Sequence, residues 1–208
     1  IRDRDEADVS FEDGAFRAEG ANAFLTIMEA AEAAREADLS ELLSHEGRDT
    51  LPGRSFPNGA HVCEVEIDPI TGVLNVDRYT VVDDFGVLMN PRLAEGQVHG
   101  GVAQGIGQAV TEHVVFDEDG QLLTASFMDY SMPRADNLPM IAFHTEPVPS
   151  KNNAFGMKGC GEAGTVGALA AVSNAVIDAV WASGIKQIEM PYTPYRLWRA
   201  LNRRGAAG

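Results

Sequence analysis

The densest grouping of chemically useful residues in this chain is Lys158-Gly-Cys-Gly-Glu-Ala-Gly164, where one carboxylate sits among three glycines just ahead of an alanine-rich helical pattern. The unpaired N–H groups and the dipole of a helix start favour a nearby negative charge, and glycines leave room for a reactant against the backbone. Glu162 is therefore a candidate general base. The plainer reading is an ordinary first-turn acid that complements the dipole. A second grouping is Gly96-Gln-Val-His-Gly-Gly-Val-Ala-Gln-Gly-Ile-Gly-Gln108. It carries five glycines in a predicted helix, each destabilising by up to about 1 kcal/mol relative to alanine. Such positions imply close approach of another backbone or a ligand, and Gly101 and Gly105 fall on one face. Gln97, Gln104 and Gln108 also read as a solvated face, and Lys158 as a surface cation.

Other chemistries lack their residues. His45, His61, His99, His113 and His144 show no H-x-H or H-E-x-x-H spacing, and Cys63 and Cys160 lie far apart, so a metal held by side chains is not expected. No G-x-S-x-G surrounds a serine, and the phosphate-loop pattern is absent. Gly159 to Gly164 does spell G-x-G-x-x-G, but the polar stretch Ser150 to Lys158 before it reads as a loop where a dinucleotide fold needs a strand.

These groups must be positioned by a small set of elements. Val9 to Ala18 reads as strand, turn, strand about Asp13-Gly14. Thr26 to Leu43 reads as a helix with a Thr26/Glu29 capping box, broken near Asp38 and Ser40. His45 to Gly59 is a loop. Cys63, Val65 and Ile67 alternate with acids, and Asp68-Pro-Ile-Thr-Gly72 turns the chain into a strand over Val73 to Asp83. Asn90-Pro91 starts a helix through about Val110. A strand pair is expected around Val114 to Leu123, then an edge strand plus loop over Tyr130 to Asn153. A helix over Ala163 to Ser183 ends at Gly184, and a short one closes the chain from Pro194 to Arg203. The expected class is α+β, antiparallel hairpins with packed helices, divided into an N-terminal hairpin and helix segment (1–57) and a second domain (58–208).

The 208 residues are 45% hydrophobic and 23% charged, as in ordinary globular proteins. Ser173, Asn174 and Asp178 interrupt the best apolar run, so no membrane span is expected. The net charge is −15, distributed as −9 over residues 1–50, −10 over 51–150 and +4 over 151–208. So acidic a surface disfavours nucleic acid as a partner. The basic end, with Arg196, Arg199, Arg203 and Arg204, reads as a solvated terminal helix. Two thiols without a framework suggest a reducing, cytoplasmic setting. The first residue, Ile1, and the lack of a signal pattern lead us to expect a fragment or processed product.

The two glycine-rich stretches, with Asp129-Tyr-Ser-Met-Pro133, Pro147-Val-Pro-Ser150, the 61–83 hairpin and the Asn90-Pro91 junction, resemble a known family over residues 58 to 200. It is the molybdenum-binding large subunit of xanthine dehydrogenase, aldehyde oxidase and carbon monoxide dehydrogenase type enzymes, of which this chain looks like the C-terminal part. The resemblance implies molybdopterin, in its cytosine dinucleotide form, holding molybdenum with no side-chain ligand. It implies that Glu162, matching the glutamate of the family's K-G-x-G-E-x-G segment, is the catalytic base. It likewise implies that Gln97 lies beside the pterin and metal, with Gln104, Gly159 and Gly161 lining the same pocket. Cys160 is given no role. The expected activity is hydroxylation of an aldehyde or N-heterocycle, a small-molecule substrate, with oxygen from water. The expected partners are the remainder of the large subunit, without which the chain should be inactive, and iron-sulfur and flavin (FAD) centres on other domains or subunits. A noncatalytic acidic interaction module is the alternative.

Overall fold

The computed structural model describes residues 8–20, 22, 24–48 and 50–202. The chain divides into two compact units, Ile1–Thr50 and Leu51–Gly208, taken here one at a time.

In the first unit, strands β1 (Val9–Glu12), β2 (Ala15–Ala18) and β3 (Phe24–Thr26) form an antiparallel sheet in that order. Asp13 and Gly14 both take positive φ, 50° and 76°, as a two-residue hairpin turn requires. Helix α1 (Ile27–Glu36) follows directly. Its Thr26 hydroxyl accepts from the Glu29 N–H, and the Glu29 carboxylate accepts from the Thr26 N–H at 2.9 Å. These bonds hold the Glu29 carboxyl below its ordinary pKa. The helix stops at Ala37, Asp38 turns left-handed at φ 59°, and a 3-10 turn occupies Ser40–Leu43.

In the second unit, β4 (Asn58–Ile67) and β5 (Leu74–Asp84) make the expected antiparallel hairpin, with a register shift at Glu64/Val65. The third strand, β6 (Ile141–Thr145), joins the outer edge of β5 in parallel, so the sheet is not purely antiparallel. Helix α2 (Pro91–Ile106) starts at Asn90, whose side chain accepts from the Leu93 N–H, and ends in a π turn at Gly107–Thr111. The strand pair expected over Val114 to Leu123 is not formed as such. A single bridge, Phe116–Leu122, is present: the Leu123 N–H still reaches the Val115 carbonyl, but the Val115 N–H donates to the Thr124 hydroxyl instead of returning to the ladder.

Helix α3 (Ala163–Trp181) packs against α2 and β4, and α4 (Pro194–Asn202) buries Leu197. By length and mean hydropathy, 1.5, α3 is apolar enough to cross a membrane, so the three polar residues do not by themselves exclude a span. Its apolarity has a place in this fold: Ala168, Val172, Val176 and Val180 are buried, while Asn174 and Asp178 are exposed. The core joins these residues to Tyr79, Val81 and Phe85 of β5 and Val98, Val102 and Ile106 of α2. Arg196 donates to the Met190 carbonyl at 2.5 Å; Arg203 and Arg204 lie outside the described residues.

Candidate functional site

Two α2 glycines set the position of the site. A Cβ on Gly101 would stand 2.9 Å from the Thr165 nitrogen and 3.0 Å from the Gly164 Cα, and one on Gly105 would strike the Ala168 side chain. Gly164 in turn has no room for a Cβ against the Val98 carbonyl. The pairs Val98 with Gly164, Gly101 with Thr165 and Gly105 with Ala168 run in the same sense along both helices, so α2 and α3 advance together at backbone contact. Gln97 therefore lies level with the start of α3. Gln104 is tied to it directly: the Thr165 hydroxyl is 3.0 Å from Gln104 Oε1 and 3.1 Å from the Gly101 carbonyl. Both glutamines are exposed.

Glu162 is the N-cap residue of α3. Its side chain caps nothing and makes no hydrogen bond or ion pair among the described residues. Glu162 is exposed and lines, with Asn58, Gly59, His61, Asp83, Val166 and Gly167, a cavity of about 280 Å³. The structure thus brings Glu162 and Gln104 to one helix end and sets Gln97 at that level. Gly159 and Gly161 lie in the loop leading there; a Cβ built on either meets nothing within 4 Å.

That loop is held from behind. Lys158 is not a surface cation: its side chain is 10% exposed and Nζ donates to Asp84 Oδ2 at 2.5 Å. Asp84 also accepts the N–H groups of Gly86 and Val148, each at 2.9 Å. The Lys158 bond, then that of Val148, lower its pKa to about 2. The Lys158 N–H bonds to the Phe85 carbonyl and that of Val87 to Gly156, closing the segment onto the end of β5. Residues 150–158 form a loop with one bridge, Met157 to Gly86, so the strand required by a dinucleotide fingerprint is absent there.

Sequence reasoning missed the floor of the cavity. His61 and Asp83 sit on the inward faces of β4 and β5, in phase with Cys63 and Val65 and with Tyr79 and Val81. Extending the period-2 pattern by one inward step on each strand would have found them. Cys63, next along that face, has its thiol pushed up to about 11 by burial, with a smaller push from Glu64.

The arrangement suits a group that accepts hydrogen bonds and needs backbone room more than metal ligands. The first amides of α3 have no side-chain cap, the two loop glycines leave open space, and Gln97 and Gln104 stand about two turns apart along one side of α2. Among the described residues no set of three His, Cys, Asp or Glu could hold a metal ion, so a metal here would have to arrive already ligated.

Residues 1–139 match the molybdopterin cofactor-binding domain family, so the likeness includes the N-terminal unit and is not confined to residues 58–200. The nicotine 6-hydroxylase large subunit of Paenarthrobacter nicotinovorans is 44% identical over 145 residues, 70% of this chain and 18% of that protein. Among solved structures, reconstituted CO dehydrogenase from Oligotropha carboxidovorans superposes with a TM-score of 0.79 at 33% identity, covering 98% of this chain and 26% of that one. Quinoline 2-oxidoreductase from Pseudomonas putida 86 gives 0.76 at 34% identity, covering 94% and 26%. The chain therefore spans about a fifth to a quarter of the length of these relatives.

Proposed function

The chain belongs to the molybdopterin cofactor-binding domain family, and from that premise we propose that it forms one wall of the cofactor site in a molybdenum hydroxylase, an oxidoreductase acting on an aldehyde or N-heterocycle. The observation that carries this reading is the placement of Glu162: it stands at a helix start, caps nothing, lines a cavity, and follows a loop whose two glycines have open space. Molybdopterin with its molybdenum supplies the redox chemistry when bound. The residues of this chain do the rest of the work assigned to them. Gln97 and Gln104 offer amides that both donate and accept. Gly159 and Gly161 let the cofactor approach the backbone. Glu162 takes up a proton at its carboxylate as oxygen from water is delivered to the substrate, a role that contributes typically about 10² to 10⁴ in rate.

The finer parts of the reading are the cytosine dinucleotide form of the pterin, and iron-sulfur and flavin centres on other domains or subunits that carry electrons away. The remainder of a large subunit completes the site, and a cytoplasmic setting suits such an assembly. The test is Glu162→Gln in the intact protein. Molybdenum and pterin content should stay near normal while turnover falls by about 10² or more. Turnover close to the unmodified protein's would remove the assignment, and an intact protein lacking both molybdenum and pterin would favour a noncatalytic acidic module.

A further inference from the structure

The cavity beside Glu162 contains a buried acid that the proposed reaction leaves unused. Asp83 is 2% exposed and lines the cavity. Its Oδ1 lies 3.6 Å from His61 Nε2, while Oδ2 has no hydrogen-bond partner. His61 cannot swing over to serve it. The imidazole Nδ1 is 2.9 Å from the Tyr79 hydroxyl, the two rings meet edge to face, and a Cβ at Gly167 would overlap the imidazole. With Nδ1 engaged by the Tyr79 hydroxyl, His61 presents only Nε2 toward the acid, 3.6 Å from Oδ1. The acid is pinned as well, since Gly59 has no room for a Cβ against that carboxyl.

A buried polar atom without a partner is uncommon in native proteins and points to a ligand, ion or water. The lining narrows the choice. Two carboxyl groups on one cavity disfavour an anion, and no metal-ligating set converges among the described residues. Pro57, Ala163 and Val166 provide apolar wall. The volume, 280 Å³, is that of about nine liquid waters at ~30 Å³ each, enough for a short carbon body with a polar head. A cation bearing several N–H donors matches the unpartnered oxygen of Asp83, and its charge offsets what desolvation costs a buried carboxylate.

We propose that this cavity binds an alkylammonium or guanidinium group, with Asp83 Oδ2 as its buried acceptor. The group is supplied either by a free small amine or by a lysine or arginine side chain from elsewhere in the intact protein. The site stands on Asp83 and His61 and does not depend on Glu162 acting as a base.

Crystals of the intact protein, before and after soaking in methylguanidinium, and calorimetric titration with the same ion decide it. A nitrogen within hydrogen-bond distance of Asp83 Oδ2 is expected. A side-chain nitrogen there before soaking, with no heat on titration, identifies the polypeptide as the source. A nitrogen only after soaking identifies a free cation, whose binding Asp83→Asn should weaken at least tenfold. Water alone at Oδ2 in both crystals overturns the proposal, and the soak of the unmodified protein decides even if the variant does not fold. Normal turnover in Glu162→Gln with a nitrogen still on Asp83 would remove the hydroxylase reading and leave the cation site standing.

Discussion

On α2, Gly101 and Gly105 are pressed against α3, whereas Gly159 and Gly161, in the loop that feeds the same helix, face open space. In sequence the two sets look alike: glycines flanking polar residues near a helix. In the structure the first set lacks side chains because another backbone occupies the space, and the second lacks them with nothing there to exclude a methyl group. Glycines of the second kind mark where something outside this chain can approach, and Glu162 follows directly after them. The pressed glycines act through stability and the open ones through what they admit.

The largest effect should come from the pressed set. A Cβ on Gly164 would meet the Val98 carbonyl, the Val102 nitrogen and the Gly101 carbonyl carbon, all backbone, which no rotamer change relieves. Overpacking a core costs typically about 1–3 kcal/mol, and the gain in helix propensity returns less than about 1 kcal/mol. Gly164→Ala should therefore lower unfolding free energy by roughly 2 kcal/mol, measured as a drop in denaturant midpoint with an unchanged slope. A midpoint equal to that of the unmodified protein would mean that the helices are not in backbone contact.

Gly161→Ala should do the reverse. The residue is exposed, has no positive φ and has nothing within 4 Å of its Cβ position, so stability should change by less than about 0.5 kcal/mol. If the open space receives the cofactor, then cofactor retention or turnover in the intact protein should fall roughly 10- to 100-fold, the range seen when groups around a metal centre are disturbed. Full retention and turnover would show that the space is not used.

What could be read from the sequence follows the range of the forces involved. The Thr26/Glu29 box, the Asp13-Gly14 turn, the turn of the 61–83 hairpin and the Asn90-Pro91 start are each fixed by residues within a few positions of one another, and each stands in the structure where the sequence placed it. The parallel docking of β6 on β5 joins residues some 60 apart, and no local pattern announces it. The Val114 to Leu123 strand pair looked right by composition, but the Thr124 hydroxyl takes the Val115 N–H out of the ladder and leaves one bridge. At the site, the position of Glu162 at a helix start was legible because the change from a glycine-rich stretch to an apolar-periodic run is local. The His61 and Asp83 pair and the burial of Lys158 were not, since each arises only when distant segments meet.

Lys158 bears on why the open glycines stay open. The loop from Gly159 to Gly161 begins at a lysine clamped to Asp84 at the end of β5, and Asp84 also fixes the amides of Gly86 and Val148. Its pKa, lowered to about 2, lies under the ordinary aspartate value of about 3.9. The folded state therefore binds this proton more weakly than the unfolded chain. The resulting stabilisation is complete above the ordinary value and is lost as pH falls through about 2. Lys158→Met removes the charge and keeps much of the length. Its denaturant midpoint should lie below that of the unmodified protein at pH 7, and the gap should close between about pH 4 and pH 2. The pressed glycines hold no ionisable group, so Gly164→Ala should show a deficit that does not close over the same interval. A Lys158→Met deficit that persisted unchanged to pH 2 would mean that packing of the lysine stem, and not its charge on Asp84, holds the loop in place.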